Sequence, residues 1–402
     1  MVAQKVREAN LIVSSPGLVE RVLDPPIAEK IKSCIQCGTC SASCPTAYAM
    51  DYTPRQLWRL MLLGLEEEVL NSRTFWLCTT CACCTVRCPR GILLTDTMLA
   101  LKSYALKRGA NVPEAILKVG ETVTTNYNIS GDENETRLIW SQNLERVPEG
   151  IEAKRGAEVL YFVGCVSSFY PRTYSIPQSL VQVLEGAGVD FTTLGREEWC
   201  CGYPLYAAGM KEGIPKLARH NVEKVKELGP ARLVTTCPSC YYAWKHIYPQ
   251  FVELPAHLEI LHSTEYLARL IEDRRIELGP VERVVTYHDP CDLGRKSGIY
   301  APPRFILEQI PGLEFREMAN FRESAICCGG GGDVEISDYE VTLGVGGLRV
   351  AQAQETGATA IVSACQQCER TLANAARQSR VRIKVMDVVE LVWEAMNQPS
   401  ID

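Results

Sequence analysis

The chain has 402 residues, enough for two or three domains, and its 46% hydrophobic and 22% charged content is ordinary for a soluble globular protein. A net charge of -6 without any local cluster of Lys and Arg offers no basic surface for nucleic acid. The N-terminus lacks the apolar core of a secretory signal, and no apolar run approaches the ~18 residues needed to span a bilayer. The best run, residues 57–65, contains Arg59. A cytoplasmic location follows, and there the nineteen cysteines read as metal ligands rather than disulfides.

Residues 1–30 read as an N-terminal arm, helical in part and stopped by Asp24-Pro25-Pro26. Residues 31–108 carry the first nine cysteines. Cys34, Cys37, Cys40 and Cys44-Pro45 have the spacing of the bacterial ferredoxin run, and Cys78, Cys81, Cys84 and Cys88-Pro89 repeat it. In such a pair, three thiolates of one tight loop hold three irons of a cubane and the distant fourth ligates the other cluster. One [4Fe–4S] cubane is therefore assigned to Cys34, Cys37, Cys40 and Cys88, and the other to Cys78, Cys81, Cys84 and Cys44. Small residues at Gly38, Thr39, Ser41 and Ala82 let backbone amides approach the sulfide. With protein ligands on every iron, the pair conducts electrons and is not a reaction site. Cys83 is left over and is expected to pack as a small buried hydrophobe. Thr53 suits an N-cap and Pro54 a first helical position, and a further helix is expected from Thr95 to Arg108, giving an α-helical ferredoxin-like domain.

Residues 109–156 are polar and read as a linker, packed on its neighbours through Ile139 and Trp140 or else a disordered tether. The remainder repeats itself at an offset of 126–128 residues. The first copy (157–280) carries Cys165, Cys200-Cys201, Cys237 and Cys240, and the second (281–402) carries Cys291, Cys327-Cys328, Cys365 and Cys368. Intervening gaps of 34 and 35 residues become 35 and 36. Short β-branched runs precede Cys165, Cys237, Cys291 and Cys365, and helical stretches such as 180–186, 216–226 and 347–355 lie between them. The expected fold is an α/β C-terminal half of two pseudo-twofold-related units, each a parallel sheet with helices, with its ligands beyond the carboxyl ends of the strands. Five thiolates exceed the needs of one zinc ion or one cubane, and adjacent cysteines are suited to bridging different irons of a larger cluster. Two matched metal centres for redox chemistry are implied.

Cys200-Cys201-Gly202 and Cys327-Cys328-Gly329 spell out the "CCG" cysteine-rich domain, and the stretch from His288 to Arg295 resembles that family's second-copy signature. Two such domains after a ferredoxin pair resemble the D-type catalytic subunit of heterodisulfide reductase, a fusion of the C and B subunits, over about residues 31–395. The resemblance implies that each CCG set holds one noncubane [4Fe–4S] cluster on five cysteines. One falls to Cys165, Cys200, Cys201, Cys237 and Cys240, the other to Cys291, Cys327, Cys328, Cys365 and Cys368. With the pair upstream, the expected cofactors are two cubane and two noncubane clusters.

Two similar centres suit a substrate with two equivalent ends, and a disulfide is one: each centre delivers one electron and takes one sulfur. The family acts on the mixed disulfide of coenzyme M and coenzyme B, which is anionic, so cations are expected along the cleft. Arg295, Lys296 and Arg172 are the candidates, against ordinary solvated positions. His288 either supplies protons to product thiolates or is hydrogen-bonded beside a cluster. A hetero-oligomeric complex with a flavin-containing or cytochrome b electron-donor partner is implied, with any membrane attachment made through that partner. The rival reading is an electron-transfer component of a larger complex, as in class II benzoyl-CoA reductases or sulfur metabolism, with no disulfide involved. A zinc scaffold is a third reading, but zinc does not call for five clustered thiolates.

Overall fold

The computed structural model describes residues 14–398. Two four-stranded parallel sheets build the C-terminal half. The first contains β1 (Val159–Phe162), β2 (Phe191–Thr193), β3 (Arg232–Thr235) and β4 (Glu259–His262) in the order β2-β1-β3-β4. The second contains β5 (Arg283–His288), β6 (Leu313–Arg316), β7 (Ala360–Ser363) and β8 (Lys384–Asp387) in the order β6-β5-β7-β8. The sequence repeat is thus a repeat of topology and of register: Leu160 pairs with Leu233 as Thr286 pairs with Ile361. β1 and β7 are buried along their whole length, and both runs are largely apolar, as strands covered on two faces are.

The two sheets share one core. Helix Ser175–Gly186 packs on helix Val388–Met396, and helix Ser263–Glu272 packs on helix Ala301–Gln309. Leu180, Leu184 and Leu267 of the first copy are buried with Leu307, Leu391 and Val392 of the second. Apolar contact across the pseudo-twofold fixes how the cysteine-bearing strand ends of the two copies meet.

The N-terminal unit is helical. Asp24-Pro25-Pro26 opens helix Pro25–Lys32 and does not close the arm; helix Leu18–Val22 has already ended. Proline's fixed φ and missing N–H suit a first turn, so the apparent breaker is a start signal. Residues 1–13 of the expected arm lie outside the described residues. Thr53 and Gln56 form the capping box of helix Pro54–Leu62, and helix Leu94–Lys107 follows the second cysteine loop.

The expected linker is folded. It contains helix Glu114–Asn126 and two 3₁₀ turns, Asn134–Thr136 and Ile139–Asn143. Of its two expected anchors, Trp140 is fully buried in the core of the first sheet while Ile139 faces outward. Its polar middle is ordered by Asn128, whose Nδ2 donates to Asp132 O at 2.8 Å and whose Oδ1 accepts from Gly131 N at 2.8 Å. The ferredoxin-like unit docks on both copies. Lys102 Nζ donates to Ala207 O at 2.9 Å and to Gly332 O at 3.1 Å. Gly332 has φ +63°, and a Cβ there would lie 2.1 Å from Cys78 O, so only glycine permits this approach. No helix among the described residues is long and apolar enough to cross a membrane.

Candidate metal centres

The two ferredoxin-type loops share a backbone form. Gln36 and Gly38 have positive φ in the first, as Thr80 and Ala82 do in the second, and each loop runs into a short helix, Thr39–Ser43 or Cys83–Val86. One cavity has Cys34, Cys37, Cys40 and Cys88 on its wall, so the distant fourth cysteine joins the first loop. Cys44, in turn, lies near Cys78 and Cys81, and Cys84 lies near all three. Cys83 is buried, with its Sγ 3.7 Å from Ala325 O.

In the five-cysteine sets the chain winds outwards in opposite directions from β1 and β3, and likewise from β5 and β7. The crevice at such a switch point is where open α/β sheets hold ligands. Cys165 and Cys237 follow β1 and β3, and Cys291 and Cys365 follow β5 and β7. Each cysteine pair is brought in after an edge strand: Cys200-Cys201 after β2 and Cys327-Cys328 after β6. The glycine behind each pair turns the chain at positive φ; at Gly329 a Cβ would meet Thr342 O at 2.5 Å.

Direct sulfur–sulfur proximity links Cys165 to Cys200, Cys201 to Cys240 and Cys237 to Cys240. In the second copy it links Cys291 to Cys327, Cys328 to Cys368 and Cys365 to Cys368. All five cysteines of the first copy line one cavity of about 120 Å³. Its remaining wall includes Gly330–Gly332, Glu335, Gln367 and Arg370 of the second copy. The sets also approach each other. Gln366 Nε2 bridges to Val163 O at 3.0 Å and Thr236 Oγ1 at 2.6 Å, and Cys365 feels the charge of Cys237.

The four residues expected at the reacting centre have different surroundings. His288, fully buried at the end of β5, accepts from Arg349 Nε at 3.1 Å on Nδ1; its ring lies with Cys328 and Cys368, the ligand atoms all within 4.8 Å. Burial holds its pKa below the ordinary range, although Cys328 opposes this. Arg295 does not face a cleft. It donates to Cys81 O (2.6 Å), Ala325 O (2.6 Å) and Cys291 Sγ (2.8 Å), tying a ferredoxin loop to the second five-cysteine set. Lys296 Nζ is held inside by Tyr203 Oη (2.6 Å) and Asp292 Oδ1 (2.8 Å). Arg172 corrects an expectation. It is exposed, donates to Asn374 Oδ1, and does not line the cavity, because the 3₁₀ turn Pro171–Thr173 points it at helix Gln366–Gln378.

Residues the motifs did not single out complete the site. Arg137, buried in the expected linker, donates to Cys165 Sγ at 3.4 Å and to Glu198 Oε1 at 2.9 Å. Glu198 in turn accepts from Val163 N and Gly164 N, both at 2.9 Å. Arg370, not Arg172, is the arginine on the cavity wall, ion-paired to Glu335.

The donor chemistry fits iron–sulfur clusters. All nineteen cysteines are free. Burial resists their ionisation, pushing Cys44 up to about 12 and raising Cys78 and Cys84. Thiols gathered this densely in apolar surroundings are costly to ionise without a cationic core, and soft thiolates select iron–sulfur over hard cations. Space is available as well: a Cβ on Gly164 would come within 3.1 Å of Cys240 Sγ, so glycine keeps the first copy's wall thin there.

Comparison with known proteins agrees with this geometry. The cysteine-rich domain family CCG matches residues 159–245 and 285–373, and the 4Fe-4S dicluster domain family matches residues 30–92. The chain is 32% identical, over 393 residues, to the D-type component of the dihydromethanophenazine:CoB–CoM heterodisulfide reductase of Methanosarcina barkeri, covering 91% of this chain and 94% of that protein. It is 30% identical over 346 residues to the EtfAB:quinone oxidoreductase of Syntrophomonas wolfei, covering 83% of this chain and 48% of that longer protein. A crystal structure of a hypothetical protein from Helicobacter pylori shares the fold at a TM-score of 0.54 and 10% identity, covering 96% of this chain and 76% of that one. The chain belongs to the family of D-type heterodisulfide reductase subunits and is an iron–sulfur oxidoreductase component.

Proposed function

We propose that the chain reduces a disulfide at its paired five-cysteine sets, with electrons entering through the two ferredoxin-type sets. The observation that carries this reading is the shared cavity: the cysteines of one copy and Gly330, Gly331, Glu335, Gln367 and Arg370 of the other wall the same space. A centre of one copy facing a cavity that the other copy closes suits a substrate held between the two copies. The S–S bond breaks, two electrons from a donor protein and two protons are consumed, and two thiols leave. The eighteen cysteines are assigned as in the motifs, four and four to cubane clusters and five and five to noncubane clusters. When bound, such clusters supply single-electron storage and transfer.

The chain's own residues then have distinct tasks. Arg137 and Arg295 donate hydrogen bonds to the sulfurs of Cys165 and Cys291 and orient them. Tyr203 lines the cavity, accepts from Lys296 Nζ and donates to Asp292 Oδ1 at 2.8 Å, so Lys296, Tyr203 and Asp292 form a hydrogen-bonded chain that reaches the cavity wall. Burial acts against the charge on Lys296, but Asp292 outweighs it and holds the ammonium above its ordinary pKa. His288 has the role of a buried hydrogen-bonding partner to the second set. The electron donor is a flavin-containing or cytochrome b protein of the same complex.

Similarity to the EtfAB:quinone oxidoreductase favours a second reading, in which the chain only relays electrons. Thiol release separates the two. Reduced holoprotein given excess disulfide should liberate two thiols per disulfide consumed, measured with a chromogenic thiol reagent. Passage of electrons to another acceptor with no thiol formed from any disulfide would leave the relay reading standing alone.

A further inference from the structure

Arg349 is a buried cation that bonds no carboxylate. It lies on helix Tyr339–Glu355, fully shielded from solvent, and each of its hydrogen-bond partners among the described residues is neutral. Nη1 donates to Asn320 O at 2.7 Å and Gln352 Oε1 at 2.8 Å, and Nε donates to His288 Nδ1 at 3.1 Å. Burial lowers its pKa to about 10, which leaves the charge in place at neutral pH. The carboxylate whose field acts on it most, Asp289, is already held by Arg304 at both oxygens, at 2.8 and 3.0 Å. A guanidinium left over in this way calls for another counter-charge, and the second five-cysteine set lies just beyond His288.

The guanidinium fixes the form of the imidazole. Nδ1 accepts from Arg349, so the ring's one proton is on Nε2; an imidazolium would set N–H against N–H. A ring nitrogen lies within 4.8 Å of the sulfurs of both Cys328 and Cys368. Nδ1 is taken and Nε2 bonds no oxygen or nitrogen atom, so Nε2–H is the donor left for those sulfurs. The same tautomer excludes His288 as a ligand to iron, which needs a bare nitrogen. The first copy ends its matching strand β1 in Phe162, which packs edge-on against Trp244 and offers no such donor. Resting on the reading that the second set holds an iron–sulfur cluster, we propose that Arg349 and His288 raise the electron affinity of that centre, Arg349 as the positioning residue and His288 Nε2–H as the donor to the sulfurs of Cys328 and Cys368. An N–H aimed at a ligand sulfur stabilises the negative charge gained on reduction, and the shielded setting strengthens the effect. The centre in sulfur contact with the ferredoxin-type sets, through Cys81 and Cys327, is thereby the one tuned to hold an electron.

The test uses the full chain with its clusters loaded, titrated anaerobically with redox mediators and followed by paramagnetic resonance. His288→Phe places the first copy's residue in the second and leaves every charged side chain in place. One midpoint should fall, so that at a fixed potential the reduced-to-oxidised ratio of that centre drops about 10-fold, or about 59 mV for one electron, while the other midpoints stay. His288→Gln keeps an N–H within reach of the sulfurs and should restore most of the lost potential. Arg349→Met should lower the same midpoint, although Arg349 bonds no cysteine. A cluster-loaded His288→Phe protein with every midpoint unmoved overturns the proposal, and so does a shift shared by all of them. Wild-type protein decides where a variant fails to load: with histidine labelled in heavy nitrogen, the second centre should show a weak nitrogen coupling and an exchangeable proton replaced in heavy water. A coupling as large as that of an iron–nitrogen bond would make His288 a ligand and overturn the proposal. A wild-type chain that takes up only the iron of its ferredoxin-type sets removes the cluster reading itself, a result distinct from an unmoved midpoint.

Discussion

Each half of this chain has a guanidinium that donates to a cysteine sulfur, and the two are recruited from unrelated places. Arg295 lies four residues after Cys291, whereas Arg137 precedes Cys165 by 28 residues and arrives from the 3₁₀ turns before the first sheet. Arg295 also satisfies Cys81 O and Ala325 O, so its loss strands three acceptors at the contact between ferredoxin loop and sheet. Arg295→Ala should cost about 3 kcal/mol and lower both the thermal midpoint and the iron content of the purified protein. Arg295→Lys should not restore them, because one ammonium cannot span three directions. Arg172→Ala should stay within about 0.5 kcal/mol of wild type, since its single partner is at the surface. An Arg295→Ala protein with wild-type midpoint and iron would refute the assignment. The cysteines were legible because their identity and spacing carry the chemistry. Arg137, Glu198 and Arg370 were not, because a residue's distance from a cysteine in sequence says nothing about its distance in space, and Arg172 was misplaced for the same reason.

The strands show a similar division. Those legible in the sequence, β1, β3, β5 and β7, are the central pair of each sheet and end at cysteines, so they read as apolar runs. The four that were not, β2, β4, β6 and β8, are all edge strands of three or four residues. β6 alternates between half-buried and exposed, and too few residues remain to show a period. Edge strand β4 ends at His262, which caps helix Ser263–Glu272 by accepting from Thr264 N on Nδ1 and is fully buried. Burial depresses its pKa to about 3, so the ring is neutral in the fold. Below the unfolded value of about 6.5, the unfolded chain binds a proton that the folded chain refuses. Stability is therefore full above about pH 6.5 and declines as pH falls towards 3, by up to about 1.4 kcal/mol per unit from this group. Asn retains a capping oxygen and cannot titrate. Between pH 7 and pH 5.5 the thermal midpoint of His262→Asn should fall less than that of wild type; equal falls would show that His262 is not the group responsible.

At the scale of the whole molecule the four cysteine sets form a sequence with a direction. The first set lies outermost, with Cys37 exposed. The second is in sulfur contact with the second copy, through Cys81 and Cys327, and that copy meets the first through Gln366. On the proposed cluster assignment, electrons supplied at the Cys37 face reach the second copy before the first. Around that face Ile35 is 63% exposed, and Lys30, Arg55 and Arg90 are exposed beside it, a basic rim on a chain of net charge -6. An apolar centre ringed by cations fits an electron donor with acidic residues around its own redox group, and such encounters are steered over about one Debye length. With an acidic flavodoxin or ferredoxin as donor, the rate of cluster reduction followed by absorbance should fall steeply as salt rises from about 50 to about 500 mM. Arg55→Glu should lower the low-salt rate by about 10-fold and flatten that dependence. A rate indifferent to both salt and this reversal would move the point of electron entry to another face.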